Sequence, residues 1–296
     1  MVVMNESFSD LTTYLEGCET STDPMPYVRL LMNRGDVVSG TCAVSSDMGS
    51  GTANSEFEFL TGNSMAYFKG NTPYVQFIDT ETPSLASLLA GHSTMAMHAY
   101  ERAGYNRVKV YDRFGFEVYK GIEDFDVDLD YARGYPTDEA NYRQLISYFE
   151  AVDEPTVVLF FGDHEPRLSN EFYSSWFTDE NDLGLETTAQ LHKTPFFIWG
   201  NYNLNTESIQ KGSVVSLNYL STVLFQTAGV QLSPYQEYLA DLRMEHPVIT
   251  ARYFTTAFGD KVGTVPSAFT DSIREYQWLQ YNCVFDRAHR IPGFYS

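Results

Sequence analysis

Five consecutive large apolar residues, Val157-Val158-Leu159-Phe160-Phe161, run straight into Gly162-Asp163-His164-Glu165-Pro166. Successive side chains of a strand point to opposite faces, so a run with no polar member must be covered on both sides. That demand selects a strand inside a mostly parallel central sheet with helices on both faces, an α/β fold. A sheet with one wet face is excluded. The abrupt switch to polar residues puts Asp163 and His164 at the carboxyl end of the strand, where open α/β sheets keep their chemistry.

The remaining pattern agrees with this frame. Apolar runs predict further strands over 1–4, 94–98 and 195–199, with the central one over 156–161. Helical spacing bounded by Gly, Pro or Ser/Thr/Asp predicts helices over 54–60, 137–152, 217–228, 234–245 and 267–285. A chain of 296 residues suffices for one such core. No linker divides it convincingly. The expected organisation is a catalytic domain over 1–243 and a small C-terminal strand and helix subdomain over 244–296, with one continuous domain as the alternative.

Charge narrows the function. Nineteen Lys and Arg face 39 Asp and Glu, a formal net charge of −20. Such a surface repels phosphate backbones, which excludes general nucleic-acid binding. An anionic substrate still fits where a cation reverses the field locally. The three cysteines, Cys18, Cys42 and Cys283, form no C-x-x-C pair and leave at most a Cys18–Cys42 bridge open. No run reaches the roughly 20 apolar residues of a membrane span. The chain opens with a strand already under way, which reads as a domain excised from a longer protein.

Three constellations can carry chemistry. Glu6 follows the first strand, and Asp163-His164 follows the central one. Either alone has a bland reading, as a helix-terminus acid or a locally bonded turn. Together they bring oxygen and nitrogen donors to one sheet edge, a suitable set for a divalent cation. In Gly49-Ser50-Gly51-Thr52-Ala53-Asn54-Ser55-Glu56, two glycines turn the chain sharply and Thr52 opens a helix. Its hydroxyl and the free N–H groups there form a phosphate cradle with a nucleophile built in, although an ordinary N-cap is the simpler alternative. Threonine needs activation, which a neighbouring cation supplies by lowering the hydroxyl's pKa. The third segment, His98-Ala99-Tyr100-Glu101-Arg102-Ala103-Gly104-Tyr105-Asn106-Arg107, offers Arg107 as a bidentate partner for phosphoryl oxygens, Tyr105 to stack and His98 to donate. A solvated loop with a satisfied histidine is the competing reading of His98. His92, His246 and His289 read as surface or packing residues, whereas His192, just before Lys193-Thr194-Pro195, could approach the site from the adjacent strand.

Taken in order, Asn5-Glu6-Ser7, Gly51-Thr52-Ala53-Asn54-Ser55-Glu56-Phe57, the spacing of His98 to Tyr105-Asn106-Arg107, and Phe161-Gly162-Asp163-His164 resemble the lipoteichoic acid synthase family. That family is the phosphoglycerol-transferase branch of the alkaline phosphatase and sulfatase superfamily. The likeness continues through Thr194-Pro195-Phe196-Phe197-Ile198-Trp199 and Leu279-Gln280-Tyr281-Asn282, so it spans nearly the whole chain.

The resemblance implies that Glu6, Thr52, Asp163 and His164 hold one divalent metal, Mn2+ with Mg2+ as the alternative, and that Thr52 is also the nucleophile. It implies that His98, Tyr105 and Arg107 bind the headgroup of a phosphatidylglycerol-type lipid, with Tyr105 where relatives carry tryptophan. The implied reaction moves glycerol phosphate to a glycolipid or polymer acceptor at the extracytoplasmic face of a bacterial membrane, reached through an N-terminal anchor. Two rivals remain: a phosphodiesterase or phosphatase using water at the same site, and a catalytically impaired headgroup-binding module. One departure stands out. The family carries a further strand ending in Asn-His before the Gly-Asp-His strand, and this sequence has no histidine between His98 and His164. No C-x-P-x-R stretch exists, so the formylglycine chemistry of true sulfatases is not expected.

Overall fold

The computed structural model describes residues 1–15, 17–89, 91–132, 134–138, 144, 154–174 and 184–295. Its main sheet contains β1 (Val2–Asn5), β2 (Val38–Ala43), β7 (Val157–Gly162), β8 (Lys193–Gly200) and β9 (Val214–Ser216), in the spatial order β1-β7-β8-β2-β9. Strands β1, β7, β2 and β9 share one direction and β8 runs against them. The sheet is thus mixed, with four strands parallel in direction. In the pairing of β1 with β7, Asn5 lies opposite Gly162, so both strands end at one edge. Strand β2 ends at the same edge.

The apolar run behaves as its pattern requires. Leu159 and Phe161 point into a layer with Phe196, Ile198, Leu217, Leu220 and Leu224, under the helices Thr52–Thr61 and Leu217–Ala228. Phe160 points the other way. It stacks on Phe197 at 5.2 Å and meets the edge of Phe8, beside the helix Pro26–Met32. Covering both faces of this strand removes each large side chain from water, about 1.5–3 kcal/mol apiece.

Several expectations are corrected. The run at 94–98 forms only β3 (Met95–Met97), which pairs in parallel with β4 (Val118–Lys120) in a separate two-stranded sheet. Met95 is exposed there, so the segment lacks the two-sided cover of a central strand. The run at 156–161 is second in the sheet, and β8 is the middle strand. Sequence reasoning missed β2, because Val38-Ser39-Gly40-Thr41-Cys42-Ala43 has no apolar run. Its small residues answer close packing: a Cβ on Gly40 would lie 2.6 Å from the Ser213 carbonyl oxygen. Helices 217–228 and 234–245 match Leu217–Ala228 and Pro234–Glu245. The helix at 54–60 extends over Thr52–Thr61. The one at 267–285 is a 3-10 turn, Pro266–Ala268, then an α-helix Asp271–Val284 capped by the Thr270 hydroxyl. The helix at 137–152 falls largely outside the described residues. All three cysteines are free, so the Cys18–Cys42 bridge does not form.

The C-terminal segment contributes the hairpin of β10 (Tyr253–Thr255) and β11 (Lys261–Gly263) and the helix Asp271–Val284. Ile249, Phe254, Ile273 and Tyr276 pack in one cluster with Phe57 and Tyr235, so the segment shares a core with the Thr52–Thr61 helix. Glu58 fastens this junction. Its Oε1 accepts from the Ser45 hydroxyl (2.7 Å), the Ser64 hydroxyl (3.3 Å) and the Met65 amide (2.8 Å). Ser45 in turn accepts from the Ala251 amide, and Ser64 donates to the Ile249 carbonyl. Burial pushes the Glu58 carboxyl up to about 7. A raised carboxyl pKa means the folded state holds its proton more tightly than the unfolded chain. This stabilisation is complete below the unfolded carboxyl value and is lost as pH rises through about 7. Glu58→Gln, which cannot ionise, is therefore expected to flatten the fall in melting temperature between acidic and mildly alkaline pH. Thermal melts across that range check it, and an unchanged slope contradicts the assignment.

Candidate active site

Three carboxyl-terminal strand ends bring the site together. After β1, Ser7 takes a left-handed backbone (φ 54°), which turns its amide onto Asp163 Oδ1 at 2.8 Å and its hydroxyl onto Glu6 Oε1 at 3.0 Å. The chain then passes so close over β7 that a Cβ on Gly162 would sit 1.9 Å from the Phe8 carbonyl oxygen. Only glycine fits there. After β2, the loop leads to Gly51, whose φ of 94° places Thr52 at the first position of its helix. Ser46 bonds the Gly51 carbonyl and the Ser55 hydroxyl, and Ser55 donates to the Asp163 carbonyl at 2.7 Å. The start of the Thr52 helix is thereby tied to the end of β7.

The result is a tight polar cluster. The Thr52 hydroxyl donates to Glu6 Oε2 at 3.1 Å and lies 3.4 Å from His164 Nε2. His164 Nε2 is 3.3 Å from Glu6 Oε1 and 3.1 Å from Asp163 Oδ2. Ligand atoms of Glu6, Asp163 and His164 all lie within 4.8 Å of one another. His164 Nδ1 is 3.0 Å from the Glu165 carbonyl oxygen, which can only accept. Nδ1 therefore carries the proton in the neutral ring, and Nε2 offers its lone pair to the cluster.

Asp163 Oδ2 is buried and has no hydrogen-bond partner among the described residues, although Oδ1 accepts from the amides of Ser7 and His164. Burial, with the Glu6 charge adding to it, pushes the Asp163 carboxyl upward. An unpaired carboxylate oxygen, a second acid, an imidazole lone pair and a hydroxyl facing one point fit a divalent cation, which would satisfy all four. The Glu6 side chain is 66% exposed while Asp163 and His164 are buried, so the cluster opens on the Glu6 side.

The third constellation is arranged differently from its sequence reading. Arg107 is only 1% exposed, and its fork is turned onto Glu56, with Nη2 2.6 Å from Oε1 and Nε 3.1 Å and 3.2 Å from the two oxygens. Tyr111 donates its hydroxyl to Glu56 Oε2 at 2.9 Å. The bidentate face assigned to a phosphoryl group is thus occupied by a carboxylate inside the protein. Sequence reasoning missed Glu56, yet a signal existed: it lies four residues after Thr52 on one helix, hence on the same face. The Tyr105 ring, 43% exposed, lies over the Arg107 guanidinium at 5.2 Å, in a turn where Tyr105 and Asn106 both have positive φ. His98 is half-buried, and its Nδ1 has no hydrogen-bond partner among the described residues. Burial, with the Arg107 cation second, lowers its pKa to about 4, so it is neutral near pH 7.

Of the other histidines, His192 is buried and bonded to the Thr188 carbonyl, and His246 joins Thr255, Thr270 and Ser272. Removing Glu56 would leave the buried Arg107 charge uncompensated. Glu56→Ala is expected to destabilise the fold by about 3–5 kcal/mol, read by denaturant unfolding. A loss below about 1 kcal/mol, the worth of an exposed pair, would contradict the buried ion pair.

The family model described as "Sulfatase" matches residues 1–144 and 137–230. Its two segments overlap over residues 137–144. A curated relative, "Putative cyclic beta-1,2-glucan modification protein" of Rhizobium meliloti (strain 1021), is 25% identical over 373 residues, covering 100% of this chain and 56% of its own length. The chain therefore spans little more than half of that relative. Among solved structures, the Streptococcus pyogenes phosphoglycerol transferase GacH in complex with sn-glycerol-1-phosphate superposes with a TM-score of 0.74 at 17% identity, over 96% of this chain and 85% of that one. The lipoteichoic acid synthase LtaP from Listeria monocytogenes gives 0.62 at 15%, over 96% and 92%. An alkaline phosphatase superfamily protein from Vibrio parahaemolyticus gives 0.56 at 11%, over 86% and 73%. These likenesses fix the fold as alkaline phosphatase/sulfatase-like, and with a family match over most of its length the chain belongs to the sulfatase family.

Proposed function

We propose that this protein is a metal-dependent phosphoglycerol transferase in which Thr52 takes a glycerol-phosphate group from a phosphatidylglycerol-type lipid and passes it to an acceptor hydroxyl. The observation that carries the reading is the meeting of Glu6, Thr52, Asp163 and His164 at one point, with Asp163 Oδ2 lacking a hydrogen-bond partner among the described residues. A mixed set of imidazole nitrogen with carboxylate and hydroxyl oxygens suits Mn2+ better than the all-oxygen shell Mg2+ prefers. When bound, such a cation supplies positive charge that lowers the hydroxyl's pKa and neutralises a phosphoryl oxygen.

The chain's own groups do the rest. Glu6 Oε2 accepts the Thr52 proton as Oγ forms its bond to phosphorus, the bond from phosphorus to the diacylglycerol oxygen breaks, and that oxygen takes up the proton from Glu6, leaving as diacylglycerol. Free N–H groups at the start of the Thr52 helix face the phosphoryl oxygens. His98, neutral, and the half-exposed Tyr105 ring hold the glycerol end. Arg107 contributes its charge from behind Tyr105, its fork remaining on Glu56. Support for the headgroup comes from the glycerol phosphate named with GacH, and support for a saccharide acceptor from the glucan named with the Rhizobium relative. Work on a membrane lipid and an envelope acceptor belongs at the extracytoplasmic face of a bacterial membrane. Among the described residues no helix is long and apolar enough to cross one.

The test uses phosphatidylglycerol labelled in its terminal glycerol, with Mn2+ added. Label is expected on the protein at Thr52, and Thr52→Ala should lose turnover by about 10⁴-fold or more. Asp163→Asn should abolish Mn2+ binding measured by calorimetry. Turnover that survives Thr52→Ala would refute the covalent mechanism, and Mn2+ binding that survives Asp163→Asn would refute the ligand set.

A further inference from the structure

A row of aromatic rings begins beside the site and ends at the surface. His98 meets Tyr100 edge to face with centroids 6.5 Å apart, and Tyr100 meets Tyr135 at 5.2 Å with planes tilted by 36°. Tyr100 follows β3. Tyr135 lies in the hairpin of β5 (Tyr131–Ala132) and β6 (Tyr135–Pro136). The two segments are far apart in sequence, and their rings still meet in the open: Tyr100 is 41% exposed and Tyr135 58%. The inner end of the row is His98, whose amide bonds to the Lys120 carbonyl of β4, and the Tyr119 ring of that strand packs on Tyr111, which donates to Glu56. The row is thereby linked through β4 to Glu56, one helical turn from Thr52.

The surrounding charges choose the occupant. Arg102, two residues after Tyr100, is held by Glu123 and Asp124. Exposed Asp128 and Asp130 lead into the hairpin. The excess of acids over Arg102 on this stretch disfavours an anionic headgroup, and the exposed Asp128 carboxylate can accept from hydroxyls. An aromatic face carries a negative quadrupole, which attracts the weakly positive C–H bonds of a sugar ring laid flat on it. A neutral saccharide satisfies both features, and a phosphate-bearing lipid satisfies neither.

We propose that Tyr100 and Tyr135 form the acceptor subsite, a platform on which a neutral saccharide ring stacks so that one of its hydroxyls reaches the phosphoryl group on Thr52. The inference rests on the transferase reading above and adds the seat of its saccharide acceptor. In the step it serves, the acceptor oxygen forms a bond to phosphorus while the bond from phosphorus to Thr52 Oγ breaks. The acceptor's proton passes to the departing threonine oxygen and restores the hydroxyl, with no change of oxidation state.

A neutral β-glucan oligosaccharide titrated into metal-loaded Thr52→Ala protein reads binding without turnover. Adding Tyr135→Ala is expected to weaken that binding at least tenfold, whereas Tyr27→Ala, which removes an exposed tyrosine from the helix Pro26–Met32, should leave it unchanged. With labelled phosphatidylglycerol vesicles and the oligosaccharide, Tyr135→Ala in the otherwise unaltered protein should lower the share of glycerol phosphate reaching saccharide relative to water, an effect a merely structural role would not produce. Thermal melts confirm that the variants fold. Equal affinity with and without the Tyr135 ring, or no oligosaccharide binding at all, would overturn the proposal. Release of glycerol phosphate to water without saccharide reports the donor chemistry separately, so its presence beside failed saccharide binding sinks the subsite alone.

Discussion

The parallel alignment of β1 with β7 is the constraint from which the site follows. Because Asn5 sits opposite Gly162, the residues after both strands emerge side by side, and the Ser7 amide can reach Asp163 Oδ1. A slip of one residue would move every side chain of β1 to the other face and carry Glu6 away from His164. The close pass of Phe8 over Gly162 locks that register, since no side chain fits between them. Two acids and an imidazole are thereby forced together at a separation that mutual repulsion would otherwise open.

The Thr52–Thr61 helix links this edge to the rest of the molecule through residues on successive turns. Thr52 faces the acids, Glu56 takes the Arg107 fork, and Glu58 binds the loops that meet the C-terminal segment. Ser55 fixes the helix to the end of β7 by its bond to the Asp163 carbonyl. One short helix thus carries the hydroxyl, a buried ion pair beside it and an anchor behind it. The Glu56–Arg107 pair is not a cheap source of stability, because desolvating both charges offsets much of their attraction. Its effect is positional: it holds a cation and the Tyr105 ring one helical turn from Thr52.

How much was legible in the sequence depends on how local the signal is. The apolar run ending in Gly-Asp-His announced a two-faced strand and its polar tip, because a strand's environment is written in consecutive residues. Glu6, Thr52, Asp163 and His164 could be singled out by their positions after strands or at a helix start, and the structure brings them together. Arg107 could be singled out as a candidate cation but not oriented, since the partner that claims its fork lies 51 positions away. Strand β2 gave no signal because its burial comes from neighbours pressing on small residues. The reversed direction of β8 was equally silent, for an apolar strand reads alike in either direction. The Tyr100–Tyr135 contact joins segments whose adjacency only the fold creates.

The contrast between a solvent-facing Glu6 and the enclosed Asp163 and His164 has a consequence for the ion proposed to sit there. Asp163 and His164 are set by folding itself, through backbone turns and bonds to neighbouring chain. Glu6 stands at the mouth, its two oxygens on the Ser7 and Thr52 hydroxyls. An ion taken up as proposed would pass the glutamate into a nest already shaped, and discrimination among ions would fall to the size and geometry that the enclosed pair tolerates.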